Sequence, residues 1–483
     1  MNTLSSPTLE VLEPLPTSVL GQKIDPSTKI SKQDIRTSLK ASTIDGILAT
    51  IFSNITSGVL LVNFLLELGA TPVEIGFLSS IPLLVNFLQP LGAFIADRRS
   101  SRHWYVLAIF APSRLLWLVL LLGIAWMVRF GNPPHQLVTW TLAIILITHV
   151  LGALGSSAWF SWMAALVPPR LRGRYFGLRN SSASLTNLLC MPLLGFGISA
   201  WPGGQVQGFG VMLLVGIILG LASLACQFWM VDVNPQITHL ETSLQNRENN
   251  QGSQEKVSIL KDINFLRLLL YLGLWMFAVN LSAPFFNLYM MQNLALDLNV
   301  VTLYTSLASG ANLVMLVFWG KLADRVGNRP LLLLVGILIA VTPIFWLFTG
   351  ADAVSVWVWL PLIHLATGGS IAASELCINN IQMSVAPVDR PSQYFALAAA
   401  VAGVGGGLGS TVGGFIAGLD FVAGLPGLFA LSVVLRLIAL LPLVFVREPR
   451  SQSVIEILRN IFLIKPLSES PLVSEVKIAV GVD

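Results

Sequence analysis

An all-α membrane protein of twelve transmembrane helices in two pseudo-symmetric six-helix bundles is the fold this sequence predicts, on three observations. Of its 483 residues, 54% are hydrophobic and 11% charged, well short of the roughly 25% charged residues that coat a soluble surface. Twelve segments supply the ~20 mostly apolar residues a helix needs to cross about 30 Å of hydrocarbon. The polar signatures of the first half recur in the second. Each span must be helical, because without a closed barrel only a helix satisfies its own backbone hydrogen bonds in lipid.

In chain order, residues 1–43 are Ser/Thr/Pro-rich with scattered Lys and hold no apolar run of a signal peptide, so they read as an N-terminal tail. The first bundle, 44–232, takes spans at 44–67, 72–96, 104–128, 137–166, 174–199 and 208–231. Residues 233–262, with Asn234, Pro235 and the polar run from Glu241 to Gln254, read as a linker. The second bundle, 263–446, takes spans at 264–291, 301–322, 330–350, 355–386, 393–418 and 424–446, and 447–483 form a C-terminal tail. With residue 1 placed in the cytoplasm, all but three of the 28 lysines and arginines fall on the inner side. The exceptions are Arg129 in an outer loop and Arg114 and Arg436 within spans; the outer loops carry Glu67, Glu74, Asp297, Asp352 and Asp420. This positive-inside bias predicts cytoplasmic termini and a cytoplasmic (plasma) membrane, with basic residues beside anionic lipid.

The net charge of +4 is too small for a nucleic-acid binder of this length. Cys190, Cys226 and Cys377 lie in spans at unrelated spacings and read as packing residues. No metal-ligand cluster, nucleophile–base pair or phosphate-binding lysine motif is evident, so neither cofactor nor enzymatic activity is expected.

The repeat is specific. Gly92, Asp97 and Arg98 after span 2 match Gly320, Asp324, Arg325, Gly327 and Arg329 after span 8. Val167-Pro168 and Tyr175-Phe176 match Ala386-Pro387 and Tyr394-Phe395, and Asn54 aligns with Asn280. The loop pattern Gly-x-x-x-Asp-Arg-x-Gly-x-Arg, complete after span 8 and partial after span 2, resembles that of the major facilitator superfamily across about residues 44–446. In the first copy Gly92 stands one residue too far from Asp97, and Ser100 replaces the glycine. The resemblance implies secondary transport by alternating access around a midplane cavity lined by helices 1, 4, 7 and 10, with the loop Asp and Arg closing the cytoplasmic side.

Polar residues in spans cost a few kcal/mol unless they face a cavity or a partner. Glu375 sits in span 10 with Asn379 four residues on, and is either a proton carrier or a structural pair. His149 and His364 can bind solute or relay protons, or hydrogen-bond a neighbouring helix. Asn280 and Asn287 flank Pro284 on one stripe of span 7, and with Asn54 they either contact solute or join helices. Trp159 and Trp162 can stack on a ring or simply pack. Arg114 is an anion site or a structural pair, whereas Arg436 is expected to snorkel to the inner face. Eight glycines between Gly403 and Gly418 in span 11 suit close, sliding helix contact. A monomeric transporter of a small solute, coupled to an ion or to protons and solvated by lipid, is the leading expectation. A non-transporting receptor or assembly factor of the same fold, or a membrane enzyme acting on a lipid-linked substrate, is the alternative.

Overall fold

The computed structural model describes residues 31–98, 101–131, 135–167, 172–232, 261–385, 391–419 and 424–448. Among these, twelve helices are long and apolar enough to cross a membrane, and no strand forms. They are α1 (Lys32–Glu67), α2 (Pro72–Ala96), α3 (Arg102–Phe130), α4 (His135–Met163), α5 (Tyr175–Ser199) and α6 (Gln205–Trp229). The second half supplies α7 (Ile263–Asn293), α8 (Leu298–Ala323), α9 (Asn328–Trp346), α10 (Ser355–Val385), α11 (Tyr394–Ala417) and α12 (Gly424–Val444). Most of the predicted linker, the tail before Ser31 and the tail after Glu448 lie outside the described residues.

One boundary is corrected. The first helix begins at Lys32, so the end of the tail assigned to 1–43 belongs to α1. Ser31 caps it, accepting from the Asp34 amide at 3.1 Å, and Asp34 adds an acid to the first turn. This opening stretch docks through polar atoms that hydropathy does not register. Ser38 accepts from the Val231 amide at 3.1 Å, and Ser42 packs its hydroxyl on the Met163 sulfur at 3.5 Å.

Two helices are broken at matching places. In α1 the chain is extended at Ser57 and turns through a positive φ of 63° at Gly58, a conformation glycine adopts at little cost. In α7 the helix ends at Asn280 and resumes at Phe285, with Pro284 removing a backbone donor in between. Shifting by the offset that aligns Asn54 with Asn280 places Ser57 on Ala283 and Gly58 on Pro284. The duplicated fold therefore interrupts the same helix of each half at the same depth.

Within the first half α1 packs on α5 and α6, and α4 on α2 and α3; in the second half α7 packs on α11 and α12, and α10 on α8 and α9. The halves meet chiefly through α2 with α11 and α5 with α8. Helix α11 serves two faces. Gly405, Gly409 and Gly413 press against the Gly273, Phe277 and Leu281 carbonyls of α7 within its own half, while Gly403, Gly407 and Gly414 face α2 across the divide. A Cβ at Gly76 would stand 2.8 Å from the Ser410 carbonyl oxygen, and one at Gly414 3.0 Å from that of Pro72. Near the end that carries Glu67, Glu74 and Asp297, one apolar core runs continuously from Leu60, Leu194 and Ile198 to Leu281, Phe285, Val301 and Phe429. Toward the end that carries Arg98, Arg102, Arg267 and Arg447 the buried clusters separate by half: Trp162 with Met163 and Val106 with Ala158 in the first, Phe265 with Leu331 and Cys377 in the second. The molecule is closed at its acidic end and parted at its basic end.

At the acidic end Asp352 anchors the start of α10, accepting from the Ser355 hydroxyl at 2.7 Å and its amide at 3.0 Å. These hydrogen bonds hold its carboxyl below the usual carboxylate range. The contribution is fully present above the ordinary carboxylate pKa and fades as pH falls through the lowered one. Asp352→Asn is expected to leave the neutral-pH fold intact and to flatten the acid limb of stability, as read from thermal unfolding at and below the ordinary carboxylate pKa of about 4.

Candidate functional site

The helix breaks build a cavity. Between the halves lies a space of about 390 Å³, walled by Asn54, Ser57 and Gly58 of α1, Asn187 and Met191 of α5, Ala283, Phe286 and Asn287 of α7, Thr305 and Ser309 of α8, Trp346 of α9 and His364 and Thr367 of α10. It falls within the roughly 300–1,000 Å³ of small-molecule sites. None of its lining side chains is a carboxylate, ammonium or guanidinium. His364 donates from Nδ1 to the Leu360 carbonyl at 2.8 Å, which leaves Nε2 as an acceptor. Its ring lies 5.1 Å from Tyr304 and 5.5 Å from Trp346, and Trp346 stacks on Phe286 at 4.6 Å. Three polar atoms of the wall are buried without a hydrogen-bond partner: Asn54 Nδ2, Asn187 Oδ1 and Trp346 Nε1. Serine and threonine hydroxyls around them are committed to their own helices, Ser57 to Ser53 at 2.6 Å and Ser309 to Thr305 at 2.9 Å.

A second, charged cleft runs through the first half toward the basic end. One space of about 340 Å³ is walled by Ser53, Asn86, Gln89, Arg114 and His149, and an adjoining one of about 220 Å³ by Asp45, Arg114, Trp159, Arg179 and Gln227. Asp45 is 3% exposed and accepts from the Ser223 hydroxyl at 2.6 Å. Its nearest cationic fields are those of Arg114 and Arg179. Arg114 donates to the Gly220 carbonyl and lies 5.1 Å from the Phe52 ring. Arg179 sits 4.4 Å above Trp159 and reaches the Ser42 carbonyl at 3.4 Å. His149 repeats the geometry of His364, donating from Nδ1 to the Ile145 carbonyl at 2.9 Å.

The sequence-derived candidates are thus sorted into places. Asn54, Asn287 and His364 meet at the central cavity, and Arg114, His149 and Trp159 meet in the charged cleft. Glu375 and Asn379 are exposed on α10 and line neither. Glu375 stands eleven residues beyond His364, about 20° round the helix and roughly 16 Å along it, so it continues the cavity face of α10 toward the basic end. Asn280 turns away. Its Nδ2 donates to the Met276 carbonyl at 2.8 Å and abuts Gly406 of α11, so the predicted stripe with Asn287 is interrupted by the break between them. Trp162 is buried and donates to the Val231 carbonyl at 2.9 Å.

Arg436 corrects another expectation. It is 3% exposed and does not snorkel. Its guanidinium donates to the Ile339 carbonyl at 2.8 Å, the Val279 carbonyl at 3.2 Å, the Ala278 carbonyl at 3.5 Å and the Ser282 hydroxyl at 2.8 Å. Residues 278–282 are where α7 breaks, so the charge goes to carbonyls at the interrupted end of the helix.

Of the repeated loop motif, Gly92 permits close helix contact, since a Cβ there would lie 2.6 Å from Leu154 Cα. A Cβ at Gly320 would meet nothing within 4 Å, and Gly327, at φ 96°, caps the helix that carries α8 on to Val326. Arg98 is exposed with its guanidinium 4.1 Å from the Phe94 ring, and Arg325 is exposed. Arg329 donates to the Val444 carbonyl. The side chains of Asp97 and Asp324 lie outside the described residues. Acids from the end of each half hold the helix that follows the motif: Asp232 accepts from the His103 amide at 3.3 Å at the start of α3, and Glu448 from the Arg329 amide at 2.8 Å at the start of α9.

Sequence reasoning missed Asp45, Arg179, Asn187 and Trp346. A span starting at 44 makes Asp45 a terminal residue; a helix starting at Lys32 places it about 20 Å inside.

A family model described as Major Facilitator Superfamily matches residues 46–406 and, in a second match, 265–474. No curated protein sequence matches the chain. Among solved structures, a D-xylose–proton symporter superposes with a TM-score of 0.65 at 16% identity, covering 87% of this chain and 99% of that one. The nucleoside transporter NupG superposes with a TM-score of 0.63 at 11% identity, covering 85% and 100%. A bacterial homologue of the iron transporter ferroportin, in an inward-facing state, superposes with a TM-score of 0.61 at 14% identity, covering 86% and 99%.

Proposed function

The chain belongs to the major facilitator superfamily, and from that premise we propose that it is a secondary active transporter that moves a small solute by alternating access, coupled to protons. The observation that carries this reading is the central cavity. Both halves wall it at the level of their broken helices, the joined apolar core seals it at the acidic end, and the halves part beyond it at the basic end. Discontinuous helices at the midplane are where transporters place their solutes. In this reading the positive-inside bias puts the basic end and both tails in the cytoplasm, and the conformation is an inward-facing one.

Asp45 is the coupling carboxylate in this reading. It lies in the cleft on the cytoplasmic side with Arg114 and Arg179 as neighbours. Adding a proton to it removes the negative charge from a site with two guanidinia, so the local balance of attraction changes with its protonation. Glu375, on the cavity face of α10 closer to the cytoplasm, is the second carboxylate to test.

Spin labels at Leu178 and Lys321 report the basic end, and labels at Glu67 and Asp297 the acidic end. Two exchanging populations are expected, with one distance shortening as the other lengthens; a single population insensitive to every condition would refute alternating access. The populations are expected to shift with pH, and Asp45→Asn to remove that shift, while Glu375→Gln only narrows it. An unchanged pH response in Asp45→Asn would take Asp45 out of the coupling.

A further inference from the structure

We infer that the charged cleft of the first half seats the acid group of a small organic carboxylate, held by the guanidinia of Arg114 and Arg179, and that protonation of Asp45 strengthens the hold. This rests on the transport reading above and deepens it.

Among the described residues that line the cleft, Arg114 and Arg179 face a single carboxylate, Asp45, which leaves a surplus positive charge. An arginine cannot shed its proton, and a charge among apolar walls is costly until an anion meets it. Asp45 does not meet it by contact. Its carboxylate accepts from the Ser223 hydroxyl at 2.6 Å and acts on both arginines through space, without an ion pair to either.

The two heads are positioned and still have donors to offer. Arg114 commits Nη1 to the Gly220 carbonyl, and Arg179 commits Nε to the Ser42 carbonyl at 3.4 Å. Aromatic rings steady both without using an N–H: Phe52 lies 5.1 Å from the Arg114 guanidinium and Trp159 4.4 Å from that of Arg179. The remaining nitrogens bond no described residue, and none is among the side-chain atoms sealed from solvent without a partner. Arg114 therefore presents Nε with Nη2, and Arg179 presents Nη1 with Nη2. Each pair is a fork that fits the two oxygens of a carboxylate.

The shape of the cleft asks for a carbon body behind that acid group. Its spaces of about 220 and 340 Å³ adjoin at Arg114 and Phe110, far more room than a bare halide fills. Phe52, Phe110 and Trp117 flank the larger one, and Asn86 and Gln89 offer it hydrogen bonds. Ser57, at the break of α1, lines both this space and the central cavity, so the body of the solute points toward the place where the halves meet. The central cavity has no charged lining residue, which leaves the acid group to the cleft.

Protonating Asp45 raises the surplus from one charge to two, so a proton and an anion each favour the binding of the other. The charged and titratable groups around Asp45 are Arg114 of α3, Tyr175 and Arg179 of α5 and Cys226 of α6. His149 of α4 stands on the larger space, and histidine ordinarily titrates near neutral pH, so it is tested separately.

The test is isothermal titration of the full-length protein in a neutral detergent. Benzoate and lactate are the carboxylate probes, benzyl alcohol is the uncharged match to benzoate, choline is a cation and chloride a bare anion. Both carboxylates are expected to bind, benzoate at least about tenfold more tightly than benzyl alcohol or chloride, and choline not at all. Arg114→Gln and Arg179→Gln are each expected to weaken benzoate about tenfold or more. Asp45→Asn, a fixed mimic of the protonated acid, is expected to tighten it about five- to tenfold at pH 8 and to abolish the tightening seen in the parent between pH 8 and pH 6. His149→Gln is expected to keep that tightening. Unliganded melting temperatures check folding, and Arg179→Gln carries the comparison if loss of the Gly220 contact unfolds Arg114→Gln. Benzyl alcohol or choline binding as well as benzoate overturns the class, as does failure of both carboxylates to bind at either pH. Binding that the arginine variants leave unchanged, or an Asp45→Asn protein no tighter than the parent, overturns the site. Displacement of benzoate by phosphatidylglycerol would make the cleft a lipid-headgroup site and overturn the solute assignment. The spin-label distances are read without any solute, so they can uphold alternating access while this assignment fails, or fail while benzoate binding persists.

Discussion

Gly414→Leu is expected to cripple transport while leaving the chain folded, because it wedges open the acidic end. The contacts that close that end are backbone on backbone: a Cβ at Gly414 meets the Pro72 carbonyl oxygen at 3.0 Å and Gly76 Cα at 3.2 Å. No flexible side chain is there to yield, so the strain is relieved by separating α11 from α2, which is the movement that opens the acidic side. Overpacking of about 1–3 kcal/mol corresponds to roughly a 5- to 150-fold change in the ratio of closed to open acidic ends. The distance between labels at Glu67 and Asp297 is expected to lengthen, and net solute uptake into proteoliposomes to fall by a similar factor. Gly76→Leu, on the opposing face, should act alike. Gly418→Leu is the control, since the nearest atom to a Cβ there is 3.6 Å away. A Gly414→Leu protein with wild-type distances and uptake would show that α2 and α11 do not form the closing contact.

The second large effect is on stability. Arg436→Leu is expected to cost about 1.5–3 kcal/mol, the scale of losing buried hydrogen bonds made by a charged group. In the native chain the guanidinium serves the carbonyls of Ala278, Val279 and Ile339 and the hydroxyl of Ser282. Leucine fills the volume but pairs with none of them. Arg436→Lys should fall between, since a single ammonium on a flexible stem cannot span the same acceptors. Thermal unfolding in detergent reads the loss, and protease sensitivity at residues 281–284 reads whether the α7 break is what loosens. An Arg436→Leu protein as stable as the parent, with the break still protected, would mean that the carbonyls find other partners and that the arginine does not hold α7.

The two predictions concern the same design from opposite sides. The proposed alternation needs helices that slide, a role suited to the glycines of α11, and a broken helix that nevertheless keeps its shape, a role suited to Arg436 in α7. Helix α1 has its own break at Ser57 and Gly58, and Asp45, Arg114 and Arg179 lie on the basic-end side of it. Structural support in one half and the charged cleft in the other thus occupy related positions around a shared cavity.

Much of this was legible in the residues. Membrane spans declare themselves because transfer into lipid depends on each segment's own composition, and eleven of the twelve begin close to where hydropathy places them. The duplication was legible because Gly320-to-Arg329 and Gly92-to-Arg98 are local strings. Asn54, Asn287, His149 and His364 were candidates as polar residues in helices that the family resemblance sets around a cavity, Arg114 as a charge within a span and Trp159 as a ring able to stack, and each lines a cavity. Asn280 was an equally good candidate on that ground, yet it packs on Gly406, because a glycine on the neighbouring helix leaves room for an amide to turn inward. Asp45 was passed over because the length of α1 depends on Ser38 and Ser42 docking against residues more than a hundred positions away.

By itself, then, the sequence determined the number of spans, their helical form and the twofold repeat, all of which follow from short-range composition and backbone chemistry in lipid. Only the tertiary structure decided which polar groups share a space. Helical periodicity predicts a face only while the axis is unbroken, and here it is broken at Ser57 in α1 and between Asn280 and Phe285 in α7. Past each break the facing of every residue is set by the neighbours it packs against, so Asn54 and Trp346 share a cavity only once the two halves are assembled, and Asp45 meets Arg114 and Arg179 only once the first half has packed.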